Sequence, residues 1–249
     1  MTEPNSPTER VFALLRHVSE GGSTANLSEL ARATGINRVT AMRLLEDLEA
    51  AGMLERQESG GHRIGLAFLK LAGHSLGSVD LTSLGRRCLR ALSNRLQLTA
   101  YLVVLDGNEC LYLMRSVPAT PLVSNIAVGS RVPAHWVAPG RVLLGGHTEP
   151  DLRALLGTEP LPTVSDQTPS SYDALTALLA EESAQGTAWS SGAYEAGVDA
   201  CAAVVNGHDG RPVAALSVAG PTAQLTDRRD EIERAVADEA TDLSTMLSG

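Results

Sequence analysis

The chain has neither a long apolar run nor paired cysteines. No stretch approaches the roughly 18 consecutive apolar residues of a transmembrane helix, and the N-terminal residues contain no apolar signal-peptide core. We therefore expect a cytoplasmic protein without membrane contact. Its three cysteines, Cys88, Cys110 and Cys201, are far apart in the sequence and form no CxxC pair. This spacing argues against a disulfide framework or a zinc site and predicts buried free thiols.

Catalytic motifs are also missing. The histidines, at positions 17, 62, 74, 135, 147 and 208, show neither HxH nor HExxH spacing, so no metal site is predicted. A thiol nucleophile would pair Cys110 or Cys201 with His135 or His147, but no motif around either cysteine would lower its pKa. We therefore predict no catalytic residue, no cofactor and no enzymatic activity.

Positive charge is scarcer than is usual in proteins that bind nucleic acids. The formal net charge is −9, whereas nucleic-acid-binding domains are usually basic. Residues 1–78 carry eight basic and nine acidic residues, so most of the acidity lies in residues 79–249. One nearly neutral copy of the first part would bind phosphates weakly. Specific DNA binding would then require several copies on repeated half-sites, effector control, or both.

The segment from Asn26 to Arg63 has a sequence pattern that is typical of a winged helix-turn-helix. Asn26 and Glu29 form a capping-box pattern at the start of a short helix. Gly35 permits a tight turn, and residues 37–51 follow as a second helix that begins at a capping Asn and ends before a Gly. Residues 53–56 and 62–65 are strand candidates around a wing. Upstream, residues 6–9 (Ser-Pro-Thr-Glu) predict the start of the first helix.

The helix over 37–51 has one apolar face, formed by Ala41, Leu44, Leu45 and Leu48 at helical spacing. Its opposite face and its N-terminal end are the parts that would enter the major groove. The predicted DNA-binding residues are Asn37, Arg38, Val39, Thr40 and Arg43 of this helix, with His62 and Arg63 of the wing. The alternative for the arginines is that they are only solvated surface charges.

The rest of the chain alternates helix and hairpin patterns. Asp106-Gly107 and the Gly-rich residues 206–210 each lie between two strand candidates, as in antiparallel hairpins. Helices enclosing such hairpins predict an α+β domain. The predicted helices cover residues 81–96, 140–146, 150–156, 172–185 and 226–247, the last with Thr226 as its cap, and the predicted strands cover 99–105, 110–115, 122–128, 200–205 and 212–219.

The chain resembles the IclR family of bacterial transcriptional regulators over essentially its whole length. The likeness is carried by ATGINRVTAMRLLEDLEAAGMLER with HRIGLAFLKLAG, by VGSRVPAHWVAPGRVLLGG, and by AGVDACAAVVNGHDGRPVAALSVAGP. The resemblance implies a winged helix-turn-helix DNA-binding domain over 1–65, a linker helix over 66–78, and a GAF-like α/β effector-binding and oligomerisation domain with an antiparallel sheet over 79–249. It also implies a dimer or tetramer, and two-fold symmetry would call for a palindromic double-stranded operator.

In that family, the effector lies between the sheet and the Pro/His loop. Carried over, the effector-binding residues are Tyr101, Met114, Trp136, Ala138, Pro139, Gly140, Trp189, Ser190, Ala200, Ser217 and Ala219. The resemblance implies that backbone N–H groups of this loop donate hydrogen bonds to the effector, but Pro139 has no N–H. Ser190 stands where the family often has Asp, and Ala200 and Ala219 replace a cysteine and a serine. Core filling remains the alternative for both tryptophans.

The lost donors favour a small, partly apolar effector, aromatic or uncharged, over a dicarboxylate, because a buried acid needs partners to replace its lost water. The predicted function is a sequence-specific DNA-binding transcriptional regulator controlled by such an effector. The alternative is a winged-helix regulator whose large domain mediates only protein assembly and binds no small ligand.

Overall fold

The computed structural model describes residues 6–58, 60–68, 70–71, 80–118 and 126–248. They fall into two compact units, Met1–Val79 and Asp80–Gly249. In the predicted linker helix, residues 66–68 and 70–71 are helical, and 69 and 72–78 lie outside the described residues. Of the strand predicted over 122–128, residues 122–125 lie outside them, and 126–128 are not in a strand.

The first unit contains three helices whose starts are capped as the sequence predicts: α1 (Pro7–Ser19), α2 (Leu27–Thr34) and α3 (Arg38–Ala50). At α1, Ser6 and Glu9 exchange side-chain and backbone hydrogen bonds in a full capping box. At α2, Asn26 accepts from the backbone of Ser28 and Glu29, but Glu29 returns no bond among the described contacts. Gly35 ends α2 with φ +69°.

Two short antiparallel strands, β1 (Leu54–Arg56) and β2 (His62–Ile64), form the wing, with Leu54 opposite Ile64. The predicted apolar face of α3 is buried, and it packs with the buried residues of α1 and α2 in one core that also includes Leu54. Each helix therefore presents one apolar face inward and leaves the other side open to solvent. This unit confirms the predicted winged helix-turn-helix.

A six-stranded antiparallel sheet organises the second unit in the order β5-β4-β3-β8-β7-β6. Its strands are β3 (Thr99–Asp106), β4 (Glu109–Ser116), β5 (Arg131–Pro133), β6 (Ala188–Ser191), β7 (Val198–Asn206) and β8 (Pro212–Pro221). Both predicted hairpins are present: Asp106 pairs with Glu109 across the first turn, and Asn206 pairs with Pro212 across the second. The α+β class with an antiparallel sheet is thus confirmed.

Helices cover the two faces of this sheet. They are α4 (Asp80–Leu96), α5 (Ala138–Leu144), α6 (Glu149–Leu156), α7 (Tyr172–Gln185), α8 (Thr222–Leu225) and α9 (Arg229–Ser248), with 3₁₀ turns at Ala134–Trp136 and Thr226–Arg228. The long helices α4 and α9 pack in one core with one face of the sheet. Residues of α5, α6 and α7 pack in a second core on the other face, where the site is found.

Further details differ from the sequence prediction. The C-terminal helix begins at Arg229 instead of Thr226, because residues 226–228 form a tighter 3₁₀ turn. The edge strands β5 and β6 were not predicted: they have three and four residues, too few to show a period of two.

None of the helices in the described part of the chain is both long enough and apolar enough to cross a membrane.

Candidate nucleic-acid interface and ligand pocket

The N-terminal half of α3 presents an open surface to solvent. Arg38 and Arg43 are exposed, and the structure shows neither with an ion pair or hydrogen bond among the described residues. Val39 is 74% exposed and Met42 is 44% exposed on the same helix. Two unpaired guanidinium groups beside an apolar side chain provide what the major groove requires, namely donors for guanine edges or phosphates and a contact for a thymine methyl.

Two other predicted DNA-binding residues hold α3 in place. The Asn37 side chain accepts a hydrogen bond from the Thr40 backbone at 2.9 Å and so caps the helix. Thr40 itself is half-buried. Met42 was not identified from the sequence, because its side chain has no hydrogen-bond donor. Its exposure places it on the open surface of α3.

The wing residues separate into one exposed and one buried side chain. The His62 side chain is only 7% exposed: one ring nitrogen lies 2.8 Å from Thr24 Oγ1, and the other lies 3.5 Å from Glu49 Oε2. The prediction that His62 reaches the DNA from the wing is therefore wrong, because the strand directs this ring inward between α3 and the loop before α2. The adjacent Arg63 points to the other side of the strand.

Arg63 keeps 65% of its side chain exposed. Its guanidinium donates to Glu55 at 2.8 and 3.0 Å, and the second carboxylate oxygen of Glu55 accepts from the Leu66 backbone. The hydrogen bond from Arg63 is the main cause that lowers the pKa of Glu55. The contact between Arg63 and DNA stays a prediction. The charge of Arg63 is already offset by the neighbouring carboxylate of Glu55.

A small pocket of about 40 Å³ lies in the second unit, between the sheet and the loop that leads into α5. Its lining is formed by Tyr101, Tyr112, Ile126, Val137, Pro139, Ser190, Tyr194, Glu195, Val198, Ala200, Ser217 and Ala219. Six of these were predicted from the sequence: Tyr101, Pro139, Ser190, Ala200, Ser217 and Ala219. They belong to the four strands β3, β8, β7 and β6, which are neighbours in the sheet, and to the start of α5.

Met114 and Trp189 do not face the pocket. Both pack into the core shared with α4 and α9, on the opposite side of the sheet. The Trp189 indole N–H donates to Glu233 at 2.5 Å, and the Arg229 guanidinium lies 4.6 Å from the ring centroid. The prediction for Met114 and Trp189 is wrong for two different reasons. Neighbours on a strand point to opposite faces, so Trp189 and Ser190 cannot both reach the pocket. A bulge in β4 between Tyr112 and Met114, which pair with Val103 and Leu102, turns Met114 to the other face from Tyr112.

Three further predicted residues lie beside the pocket without lining it. Trp136 is half-buried, and its ring centroid lies 6.5 Å from that of Tyr194, while its indole N–H donates to Pro162 O at 2.8 Å. The Ala138 backbone N–H donates to Ser190 Oγ at 2.7 Å. Gly140 lies behind the wall, packed against the Ala134 backbone. The loop is therefore held by its own contacts with the sheet.

The sequence did not predict Tyr112, Tyr194 or Glu195. Tyr112 follows Cys110 by two residues on β4 and so shares its face, a signal available in the sequence. Burial raises the pKa of Tyr112 well above its ordinary value, so this phenol stays neutral. Tyr194 and Glu195 belong to the loop between β6 and β7, where no periodicity indicates which side chain turns inward.

A buried ion pair fastens the pocket wall to the rest of the unit. Arg141 of α5 and Glu182 of α7 have side chains that are 4% and 7% exposed, and they share three hydrogen bonds of 2.7 to 3.0 Å. The same guanidinium donates to the Trp189 carbonyl of β6 at 2.5 Å. The Arg141 side chain thus links α5, which carries Pro139, to α7 and to the edge strand β6.

All three cysteines are buried free thiols. Burial is the main cause that raises the pKa of Cys88 to about 11 and that of Cys110 to about 12, and it raises the pKa of Cys201 above its ordinary value. A hydrogen bond with Glu239 contributes at Cys88. Such thiols are poor nucleophiles because the thiolate is the reactive form.

We therefore expect the native protein to react with an aromatic disulfide reagent at pH 8 at least about a hundredfold more slowly than a free thiol. After unfolding in guanidinium chloride, three thiols should react at once. The measurement is the release of coloured thiolate over time. Rapid reaction of any cysteine in the folded protein would contradict this assignment.

A winged helix with open arginines, followed by a unit that encloses a pocket against its sheet, defines a DNA-binding transcriptional regulator. The family comparisons agree. Residues 7–58 match the IclR helix-turn-helix domain, and residues 73–245 match the C-terminal domain of the bacterial transcriptional regulator IclR. The chain belongs to the IclR family of bacterial transcriptional regulators.

Curated relatives have the same role. The chain is 30% identical over 228 residues to the HTH-type transcriptional regulator XynR of Escherichia coli, covering 91% of this chain and 89% of that protein. It is 33% identical over 207 residues to the Pca operon regulatory protein of Acinetobacter baylyi, covering 81% and 73% respectively.

Solved structures show the same fold. An IclR homologue from Microbacterium hydrocarbonoxydans, complexed with 4-hydroxybenzoate, superposes with a TM-score of 0.86 at 25% identity over 96% of this chain and 97% of that one. A transcriptional regulator from Rhodococcus sp. RHA1 superposes with a TM-score of 0.83 at 28% identity over 97% of both chains.

Proposed function

We propose that this regulator acts in the cytoplasm as a dimer or tetramer, reads a palindromic operator through α3, and responds to a small, partly apolar, aromatic or uncharged effector. The observation that supports the DNA contact is the exposure of Arg38, Val39 and Arg43 at the start of a helix that follows a tight turn. Among the described residues, neither arginine has an acidic partner. The nearly neutral charge of residues 1–78 makes paired half-sites necessary for affinity.

The first test concerns the two arginines. Arg38→Ala and Arg43→Ala should each weaken operator binding by about 1–3 kcal/mol, because each removes donors to a base edge or a phosphate. Fluorescence anisotropy with DNA from the region upstream of the protein's own gene would measure this. Arg234→Ala is the matched control, since it removes one exposed arginine of α9 in the second unit.

If Arg38→Ala and Arg43→Ala bind the operator as tightly as Arg234→Ala does, and their circular dichroism spectra match that of wild type, then α3 does not read the DNA.

The pocket supports the effector class. Its lining is dominated by phenol rings and aliphatic groups, and its hydroxyls already take part in internal bonds: Ser190 accepts from Ala138, and Ser217 donates to the Cys201 carbonyl. Such a surface suits a ring with one or two polar groups. The complex of the Microbacterium hydrocarbonoxydans homologue with 4-hydroxybenzoate adds support for an aromatic ring.

A calorimetric screen of short-chain dicarboxylates against singly substituted benzenes tests this class. We expect a response to at least one benzene and none to the dicarboxylates. Ala200→Leu, which places a larger side chain in the lining, should abolish the response. Tight binding of a dicarboxylate alone would contradict the proposal. Absence of any ligand-induced thermal shift would favour the assembly-only alternative.

Assembly has its own support. Leu66 and Leu71, on the helical residues that follow the wing, are 56% and 61% exposed. Exposed apolar side chains that lie close together can mark a protein–protein contact. We expect sedimentation velocity to show at least a dimer at micromolar concentration, and a clean monomer both free and on DNA would contradict the proposed oligomer.

A further inference from the structure

Glu46 places an acid on the open face of α3. At about 100° per residue, it follows Val39 by two helical turns, so both side chains lie opposite the buried face of the helix. Glu46 is exposed, and in the part of the chain that the structure describes its carboxylate has no ion pair or hydrogen bond. DNA phosphates repel a carboxylate, so an acid at the centre of this face needs a donor on the bases to offset the repulsion.

A cleft of about 330 Å³ opens beside Glu46, between α3 and the wing. Met42 and Glu46 line it from α3, and Arg56 and His62 line it from the wing. Both basic side chains lie next to another acid, because Arg56 Nη2 and His62 Nε2 are each 3.5 Å from Glu49 Oε2. The carboxylate of Glu46 therefore stays an acceptor for a group that approaches from solvent.

The major groove offers few groups that an ionised carboxylate can bind. Guanine presents only acceptors there, and thymine presents an acceptor and a methyl group, so neither base can donate to a carboxylate. Adenine has an amino donor, but its N7 acceptor lies beside it. Cytosine presents its N4 amino group without an acceptor on the same base edge. An acid on a helix in the major groove is therefore best matched by cytosine.

We propose that Glu46 reads a cytosine in each half-site of the operator by accepting a hydrogen bond from the N4 amino group. The inference rests on the proposed function, in which α3 lies in the major groove, and it identifies one base of the operator. The bond is charge-assisted, and the same carboxylate repels the acceptors of guanine and thymine. Glu46 would thus select its base by attraction and by repulsion together.

The test selects duplexes from a randomised double-stranded DNA pool with the full-length protein as wild type, Glu46→Gln and Asp47→Asn. Gln keeps the size of the side chain, removes its charge and suits adenine, whose N6 and N7 bind an amide through two hydrogen bonds. Asp47 is the matched control, because it is exposed on the same helix but lies about 100° round from Glu46. Each cytosine that wild type selects is then replaced in turn by adenine, and fluorescence anisotropy measures the affinity of all three proteins for each duplex.

The decisive quantity is the ratio of affinities for the cytosine duplex and the adenine duplex. At one position of each half-site, we expect this ratio to fall by about tenfold or more in Glu46→Gln, because a good contact with a base edge discriminates by about this factor. In Asp47→Asn the ratio should stay at the wild-type value at every position.

If Glu46 only repels phosphates, Glu46→Gln will bind every duplex more tightly by the same factor and keep the base preferences of wild type. That result would overturn the inference, as would a wild-type selection without cytosine. Neither would affect the contact between α3 and DNA, provided that Arg43→Ala still weakens binding to the selected duplex. If Arg38→Ala and Arg43→Ala also bind as wild type does, the proposed reading of DNA by α3 fails, and the inference fails with it.

Discussion

Arg141→Met should destabilise the second unit by about 3–5 kcal/mol, because it leaves the Glu182 carboxylate buried without its partner. The two side chains are almost wholly enclosed and share three hydrogen bonds. A buried charge that loses its partner retains the full cost of leaving water. The variant also loses the bond to the Trp189 carbonyl, which is one of the links between α5 and β6.

Unfolding in urea, followed by tryptophan fluorescence, measures this effect in one unit alone. The chain has two tryptophans, Trp136 and Trp189, and both belong to the second unit. The control is the double variant Arg141→Met with Glu182→Leu. It removes both charges and should recover most of the lost stability, because an apolar pair of similar volume often replaces a buried ion pair at little cost.

If the single variant is as stable as wild type, the pair contributes nothing that depends on its charge. If both are equally unstable, the loss comes from packing or from the bond to Trp189.

Local patterns predicted most of the helices and both hairpins. The helices α1, α2 and α3 each start next to a side chain that caps them, namely Ser6, Asn26 and Asn37. Capping depends on residues within four positions, so one sequence contains the whole signal. The same holds for the two hairpins, where the turn residues and the apolar residues of the flanking strands are close together in the chain.

The faces of the edge strand could not be assigned from the resemblance alone. Trp189 and Ser190 were both placed in the pocket, although consecutive strand residues point to opposite sides. Ser190 opposes Ala200 and Trp189 opposes Cys201, so the register decides which of them meets the ligand. The family motif identifies the segment, but the strand itself is too short to show its period in the sequence.

Long-range partners were the other missing information. His62 lies in the wing and bonds to Thr24, which is 38 residues earlier, so nothing near it in the sequence indicates its burial. Arg141 and Glu182 are 41 residues apart and reach each other only once α5 and α7 have packed. Glu195 belongs to a loop, where orientation is set by the backbone turns between Gly192 and Gly197 and not by a repeating pattern.

Gly140→Ala should destabilise the second unit by about 3 kcal/mol, which is the upper part of the usual range for an overpacked core. A Cβ atom at this position would lie 2.6 Å from the carbonyl carbon and from the Cα of Ala134, and closer still to its oxygen. These are backbone atoms, so no side-chain rotation relieves the clash. Gly140 was predicted to bind the effector, but the structure packs it against the Ala134 backbone, next to the lining residue Pro139.

The clash would move α5 away from the 3₁₀ turn at Ala134–Trp136, and Pro139 and the Ala138–Ser190 bond would move with it. We therefore expect the thermal midpoint of the tryptophan signal to fall by about 6–12 °C, as that loss implies for a unit of this size. Gly146→Ala, in the turn that follows α5, is the control: its Cβ would meet only Pro212, at 3.7 Å, an ordinary contact. That variant should melt within about 2 °C of wild type. If Gly140→Ala has a thermal midpoint as high as that of Gly146→Ala, α5 can shift against the turn at no cost in stability. The wall of the pocket would then be less rigid than these contacts indicate.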